Sequence, residues 1–82
     1  MLKVTVFTKP NCPGCKATVK KLAQLNIEHA SMALDDESIE RFRSEGLASA
    51  PVVEVDLGEG AQWRWAGYSP TQIDRLVEIL AA

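Results

Sequence analysis

The sequence predicts one α/β domain, with a four-stranded mixed sheet and helices on both of its faces. Three observations support this fold class. Short β-branched runs alternate with segments of helical apolar spacing, helix-capping residues precede those segments, and a Gly-rich turn separates the last two runs. The predicted order of elements is βαβαββα. The 82 residues suffice for one hydrophobic core and are too few for two, so we expect residues 1–82 to form a single domain.

The first strand and the first helix have clear patterns. Leu2–Phe7 alternates and is rich in β-branched side chains, which predicts a strand. Pro13–Leu25 predicts a helix, because apolar residues recur there at i, i+4 and i+7. The residues of that inner stripe are Cys15, Val19 and Leu22.

A second strand and a second helix follow. Ile27–Met32 predicts a strand with a weaker pattern. Asp35 or Asp36 is suited to cap the next helix, because a short acidic side chain accepts a hydrogen bond from a free backbone N–H. Gly46 is suited to end that helix. The residues expected to face inward are Ile39 and Phe42.

The next segment predicts a hairpin. Pro51–Val55 is the third predicted strand, Leu57–Gly60 is the turn, and Ala61–Trp65 is the fourth strand. The helical crossovers between the first strands imply parallel neighbours, whereas the hairpin adds an antiparallel pair.

The last helix has a well-defined start. Ser69 is its predicted N-cap, with Pro70 at the first helical position and Gln72 completing a capping box. Tyr68 precedes the cap and is expected to pack on Ile73. The predicted buried face comprises Ile73, Leu76, Val77 and Leu80.

Composition and charge exclude several classes of function. The net charge is −2 and no run of five or more Lys and Arg occurs, so nothing indicates nucleic-acid binding. The apolar runs are far shorter than the roughly 20 residues that cross a bilayer. The N-terminus is too strand-like for an export signal, so we expect a cytoplasmic protein. Because thiols are kept reduced there, the 2 cysteines are expected to serve catalysis or metal binding.

The two cysteines enclose Pro-Gly in the motif Cys12–Cys15, which follows a strand and opens a helix. At a helix N-terminus, free backbone N–H groups and the helix dipole favour an anion, so Cys12 is expected to be held as a reactive thiolate. Lys9 and Lys16 add positive charge near it. Pro13 presets the helical φ angle and needs no partner for an N–H group.

The spacing of the cysteines predicts a division of labour. Cys15 begins the buried stripe, so we expect its sulfur to be the more shielded one. Cys12 then attacks a substrate disulfide, and Cys15 releases the reduced substrate. Two other interpretations remain open at this point: a zinc site, for which only His29 and carboxylates or a second chain are available, and two idle core cysteines.

Ala50-Pro51 opens a strand after a helix and a short loop. Only about 5–6% of X–Pro bonds are cis in general, and a trans proline at the start of an edge strand is the alternative. The predicted fold favours the cis bond. With that bond, we expect the exposed backbone of Val52 to pair with an extended substrate segment beside Cys12.

Trp65–Pro70 is the third notable segment. Gly67 permits a turn with positive φ. The rings of Trp65 and Tyr68 either shelter the disulfide and form a partner surface, or cover the core where the helix begins. Trp63 lies on the same strand face as Trp65 and is expected to be an exposed hairpin residue.

Taken together, these motifs resemble the glutaredoxin family, and in particular its NrdH-redoxin branch. Val4–Cys12 resembles the opening strand and loop of that family, Ala50–Val53 its cis-proline turn, and Trp65–Pro70 its W-S-G-F-R-P motif. The likeness covers nearly the whole chain and implies the thioredoxin fold.

The resemblance implies a dithiol electron carrier with no bound cofactor. Such a protein is reduced by thioredoxin reductase with electrons from NADPH and passes them to class Ib ribonucleotide reductase. We expect a monomer that binds no metal. The expected site comprises the catalytic Cys12 and Cys15, the supporting Lys9, Lys16 and Pro13, and a binding surface of Ala50, Pro51, Val52, Trp65, Gly67 and Tyr68.

Two alternative functions stay open. In a glutathione-dependent glutaredoxin, Lys9 and the Pro51-Val52 backbone would bind the tripeptide. The loop Ala66–Pro70 lacks an acidic residue, and Gly14 replaces the aromatic residue common between glutaredoxin cysteines, so both features weaken such a site. A dimeric metal or iron–sulfur carrier would need Cys12 thiolates from two chains.

Overall fold

The fold is known from a computed structural model that describes residues 2–81. Its elements follow the predicted order βαβαββα. They are β1 (Lys3–Thr8), α1 (Pro13–Gln24), β2 (Ala30–Ala33), α2 (Asp36–Ser44), β3 (Val52–Gly58), β4 (Ala61–Ala66) and α3 (Pro70–Ala81). No helix within the described range has the length and apolar character to span a membrane.

The four strands form one mixed sheet in the order β2-β1-β3-β4. β1 and β2 are parallel, as the first helical crossover predicts. The prediction that the second crossover also joins parallel neighbours is wrong, because β3 pairs antiparallel with β1. The register gives the reason: Ala33 at the end of β2 pairs with Thr8, and Val52 at the start of β3 pairs with Phe7. The connection through α2 therefore begins and ends beside the C-terminal end of β1. As a result, β3 runs in the direction opposite to β1.

The core consists of two clusters, one on each face of the sheet. On the first face, α1 and α3 pack against β1, β3 and β4, with Leu22, Ile73 and Leu76 among the buried residues. On the other face, Phe42 of α2 contacts Phe7 edge-to-face, at 5.0 Å between ring centroids. Helices therefore cover both faces, which confirms the predicted fold class.

The second strand lies further along the chain than predicted. Ile27 is buried, but it precedes β2 and belongs to the turn after α1, where its backbone N–H donates to the carbonyl of Leu22 at 2.9 Å. The residues of β2 are all exposed. Ile27 is therefore apolar because it packs into the core from a turn. The strand β2 itself is a short edge strand.

The hairpin is tighter than predicted. β3 continues to Gly58, and only Glu59 and Gly60 form the turn, both with positive φ as a two-residue hairpin turn requires. Glu54 and Arg64 are cross-strand partners, and Arg64 Nε donates to Glu54 Oε2 at 2.8 Å. This bond raises the pKa of Arg64 above its ordinary value, and Arg64 Nη1 also donates to Glu45 Oε1 at 2.8 Å.

The helix caps lie where the sequence predicted them, whereas fewer of the predicted inward-facing residues are buried. Asp35 caps α2 by accepting from the backbone N–H of Ser38 at 2.8 Å, which lowers the pKa of Asp35. Helix α2 ends at Ser44, as Gly46 predicts. Ile39, predicted to face inward, is exposed, and Phe42 alone is buried on α2.

Helix α3 starts at the predicted residue but buries fewer side chains than predicted. Ser69 Oγ accepts from the N–H of Gln72 at 3.3 Å, whereas the side-chain carbonyl of Gln72 is buried without a partner, so the capping box is one-sided. The prediction that Val77 and Leu80 are buried is wrong. The physical reason is that the buried stripe of α3 is narrow: it holds Ile73 and Leu76, whereas Val77 and Leu80 are 37% and 46% exposed.

Candidate active site

Cys12 occupies the N-cap of α1, between the loop after β1 and the first helical turn. Its φ and ψ of −114° and 102° are extended, and its Sγ accepts a hydrogen bond from the backbone N–H of Cys15 at 3.1 Å. The carbonyl of Cys12 accepts from the N–H of Lys16 at 3.1 Å. A sulfur in this position faces free N–H groups at the positive end of a helix, which favours the thiolate.

Cys12 and Cys15 are joined by a disulfide, and their Cα atoms are 5.2 Å apart. This separation lies within the range that disulfides adopt, so one helical turn suffices to bring the sulfurs together. The pair can therefore close a disulfide across the first turn of α1.

The two cysteines are equally buried, each with 4% of its surface exposed. Residue burial therefore does not distinguish the two cysteines in the disulfide form, and the greater shielding of the Cys15 sulfur stays a prediction. The N-cap geometry directs the Cys12 side chain toward the N–H of Cys15. The assignment of Cys12 as the attacking sulfur then depends on its position at the helix terminus and not on greater exposure.

A shallow groove of about 530 Å³ lies beside the disulfide, between α1 and the edge strand β2. Both cysteines line it, together with Lys9 and Lys16, which the sequence predicted near the thiolate. Lys20 also lines the groove and was missed, although its spacing of four residues from Lys16 places it on the same helix face. Pro13 is exposed at the first position of α1.

On the other side of the motif, Gly14 faces the loop before β3. A Cβ atom at Gly14 would lie 3.4 Å from Cδ of Pro51, 3.6 Å from the carbonyl oxygen of Ala50 and 3.8 Å from Cβ of Tyr68. The Ala50-Pro51 peptide bond is cis, as predicted. The structure thus brings Ala50, Pro51 and Tyr68 next to the motif, as the sequence predicted for a binding surface.

Val52 does not have the exposed backbone that the sequence predicted. It is 2% exposed and pairs with Phe7 of β1 on one side and with Ala66 of β4 on the other. The physical reason is that β3 is an inner strand, so its neighbours enclose both of its edges. Ala50, which lies before the strand and is partly exposed, is the residue of this segment that remains accessible.

The two aromatic residues of the Trp65–Pro70 segment have different places. Trp65 belongs to the core cluster, and its indole N–H is buried without a partner. Tyr68 is 42% exposed and lies near Gly14. Trp65 therefore covers the core, whereas Tyr68 lies at the site.

Gly67 joins this segment to the proline loop. It has the φ of +82° that its sequence position predicts, and its N–H donates to the carbonyl of Pro51 at 2.7 Å. Trp63 is only partly exposed and packs on the core, with its ring 4.9 Å from that of Trp65, so the prediction of an exposed hairpin aromatic is wrong.

Thr18 holds the first turns of α1 together and was also missed by the sequence analysis. It is fully buried, and its hydroxyl donates to the carbonyl of Gly14 at 2.8 Å. Val19, predicted on the inner stripe, is only partly buried because Thr18 takes the position facing the core. A helical threonine is able to satisfy its hydroxyl within its own helix, which is why a polar residue fits there.

We expect Thr18→Val to lower the free energy of unfolding by about 1 kcal/mol, because it removes one buried hydrogen bond at nearly constant volume. Urea unfolding of the oxidised protein measures this change. Thr71→Val makes the same chemical change at an exposed position of α3 and should have little effect. Equal losses in the two variants would contradict the assigned role of the Thr18 hydroxyl.

His29 does not lie with the cysteines. Its Nδ1 is 2.9 Å from the carbonyl oxygen of Ile27, and it lines a separate depression with Glu28 and Asp56. Within residues 2–81, no three His, Cys, Asp or Glu side chains form a cluster that suits a metal ion. The arrangement around the cysteines is one for thiol–disulfide exchange.

Comparison with known proteins agrees with this chemistry. The sequence model of the glutaredoxin family matches residues 4–57, which is more than half of the chain. The glutaredoxin-like protein NrdH of Salmonella typhimurium is 28% identical over 78 residues, covering 92% of this chain and 89% of the relative. The NrdH protein of Lactococcus lactis subsp. cremoris is 29% identical over 75 residues, covering 89% of this chain and 97% of the relative.

A solved structure shows the same fold. The NrdH-redoxin of Escherichia coli, described as a glutaredoxin-like protein with a thioredoxin-like activity profile, superposes with a TM-score of 0.74. It is 28% identical, and the match covers 90% of this chain and 93% of the E. coli protein. The predicted thioredoxin fold is confirmed.

Proposed function

The chain belongs to the glutaredoxin family and is a thiol–disulfide oxidoreductase, and from this premise we propose that it donates electrons to a class Ib ribonucleotide reductase. We propose further that thioredoxin reductase recharges it with electrons from NADPH. The observation that supports the reaction is the Cys12–Cys15 disulfide at the N-terminus of α1, beside an accessible groove. We also propose that the reaction takes place in the cytoplasm and that the chain acts as a monomer.

The reaction begins with the reduced pair. The Cys12 thiolate attacks one sulfur of the substrate disulfide, so a Cys12–substrate S–S bond forms, the substrate S–S bond breaks, and the departing sulfur takes up a proton. Cys15 then loses its proton and attacks Sγ of Cys12, which releases the second substrate thiol. Two electrons pass to the substrate, and the chain ends as the Cys12–Cys15 disulfide.

Three observations support thioredoxin reductase as the reductant. The segment Ala66–Pro70 contains no acidic residue that would hold the amino group of glutathione. Gly14 has no side chain to cover the space beside Ala50 and Tyr68, so a flat protein surface is able to approach the motif. The E. coli relative is itself described as thioredoxin-like in activity.

Coupled NADPH oxidation tests the proposal. We expect sustained NADPH consumption when the protein, thioredoxin reductase and a disulfide substrate are combined, and little when glutathione and glutathione reductase replace thioredoxin reductase. Ribonucleotide reductase of class Ib, supplied with this couple, is expected to turn over. The reverse pattern, with turnover only through glutathione, would overturn the proposed reductant.

A glutathione-dependent glutaredoxin is the second candidate, and one observation favours it. Lys9 and Arg43 line a small pocket of about 180 Å³ that reaches Ala50, so two cations are available to a carboxylate there. Calorimetric titration of glutathione decides between the candidates. Binding weaker than about 1 mM, near −4 kcal/mol, leaves no useful site.

A dimeric metal or iron–sulfur carrier is the third candidate and requires Cys12 of two chains. If the purified protein contains no iron or zinc and has no visible absorbance, this third candidate is excluded. Purified protein that contains a cluster and elutes as a dimer would support it against the first two.

A further inference from the structure

The groove beside the disulfide has a cationic wall. Lys16 and Lys20 are four residues apart on α1, and both line the groove. Lys9 lines it from the loop that precedes Cys12. All three lysines are exposed, so their ammonium groups are available to a bound molecule.

Within residues 2–81, no carboxylate lines the groove beside these lysines. The ion pairs found within residues 2–81 both belong to Arg64 of β4, which is the edge strand opposite β2. Helix α1 also has no acidic residue in its first turn, where one would normally stabilise it.

Neither composition nor helix stability explains the arrangement. The chain as a whole has a net charge of −2, so a local excess of lysine is not a general feature of its surface. Like charges at i and i+4 slightly destabilise a helix, by about 0.2–0.5 kcal/mol per pair. The pairing of Lys16 with Lys20 therefore gives α1 no stability of its own.

The remaining lining residues suit an extended peptide. Val19, which is partly buried, and Pro10 provide apolar surface between the lysines. Ser31 of the edge strand β2 lines the opposite wall with a hydroxyl group. A strand-like segment with carboxylates would meet lysines on the α1 side and a hydrogen-bonding group on the β2 side.

We infer that this groove binds the segment next to the disulfide of a protein substrate, and that it selects segments with Asp or Glu there. The inference rests on the proposed function and deepens it by assigning the substrate class. Lys20 is the specificity-determining residue, because it lines the groove and is a full helical turn beyond the lysine closest to Cys15. The effect is on capture of the substrate, since complementary charge raises association rates and is screened by salt.

Three model substrates test the inference. They are peptides of one sequence with an internal disulfide, flanked by glutamates, by glutamines or by lysines. The measured quantity is the second-order rate constant for their reduction by the pre-reduced protein at low salt. Lys20→Gln removes the charge, Lys20→Glu reverses it, and Lys21→Gln is the matched control, since Lys21 lies on the same helix and does not line the groove.

We expect the wild-type protein to reduce the glutamate peptide at least about fivefold faster than the lysine peptide, and 0.5 M salt to remove the difference. Lys20→Gln should lessen the preference and Lys20→Glu should reverse it, while Lys21→Gln should leave it unchanged. Equal rates for the three peptides, or equal effects of the two Gln variants, would overturn the inference. Failure to reduce even the glutamine peptide would instead overturn the proposed function.

Discussion

We expect Cys12→Ser to reduce the rate of protein-disulfide reduction to the uncatalysed level, whereas Cys15→Ser should stop turnover but accumulate a mixed disulfide through Cys12. The first result is expected because a serine hydroxyl at neutral pH cannot replace the thiolate at the N-cap. The second is expected because Cys12 still captures substrate, but no neighbouring sulfur displaces it. Mass spectrometry of the protein after reaction with a peptide disulfide measures both outcomes.

The two serine variants also control for folding. Serine is a good N-cap residue, so Cys12→Ser keeps an acceptor for the N–H of Cys15, which now donates to Sγ. Circular dichroism of both variants should match that of the reduced wild-type protein. An adduct located on Cys15, or substrate reduction by the Cys12→Ser variant, would show that the roles of the two sulfurs are reversed.

Phe42→Ala is expected to lower the free energy of unfolding by about 3–5 kcal/mol, the largest stability change that we predict. Phe42 is 1% exposed and is the only buried residue that α2 contributes within the described chain. Its loss removes the contact with Phe7 and opens a cavity under α2. Since domains of this kind have only about 5–15 kcal/mol of stability, much of the variant should unfold at modest urea concentration.

Ile39→Ala provides the matched control on the same helix. Ile39 is 38% exposed, so its truncation should cost about 1 kcal/mol or less. Urea titrations followed by tryptophan fluorescence compare the two variants. A loss for Ile39→Ala as large as that for Phe42→Ala would contradict the observed packing of α2.

The features that the sequence predicted well have local causes. The N-caps at Asp35 and Ser69 depend on a side chain and an N–H three residues later, and both bonds are formed. The motif Cys12–Cys15 likewise needs only the spacing within one helical turn. Such features are determined by neighbours in the chain, so pattern and residue type suffice to predict them.

The features that the sequence did not predict depend on distant parts of the chain. Whether Val52 has a free backbone depends on β4 pairing beside it, and whether Val77 is buried depends on how wide a face of α3 packs against the core. The burial of Ile27 without a strand has the same origin, because the core accepts a side chain from a turn as readily as from a strand. Lys20 could have been found from its helical spacing, but only β2 shows that a groove faces it.

The fourth strand has a consequence for residues far from it in the chain. Arg64 of β4 donates a hydrogen bond to Glu45, which lies just after α2. Gly67, just after β4, donates one to the carbonyl of Pro51. Arg64 and Gly67 are three residues apart, and their hydrogen bonds hold both ends of the 45–51 connection, whose Ala50 carbonyl lies near Gly14. The loop beside Gly14 is therefore supported from the returning side of the hairpin, by contacts remote in sequence from both cysteines.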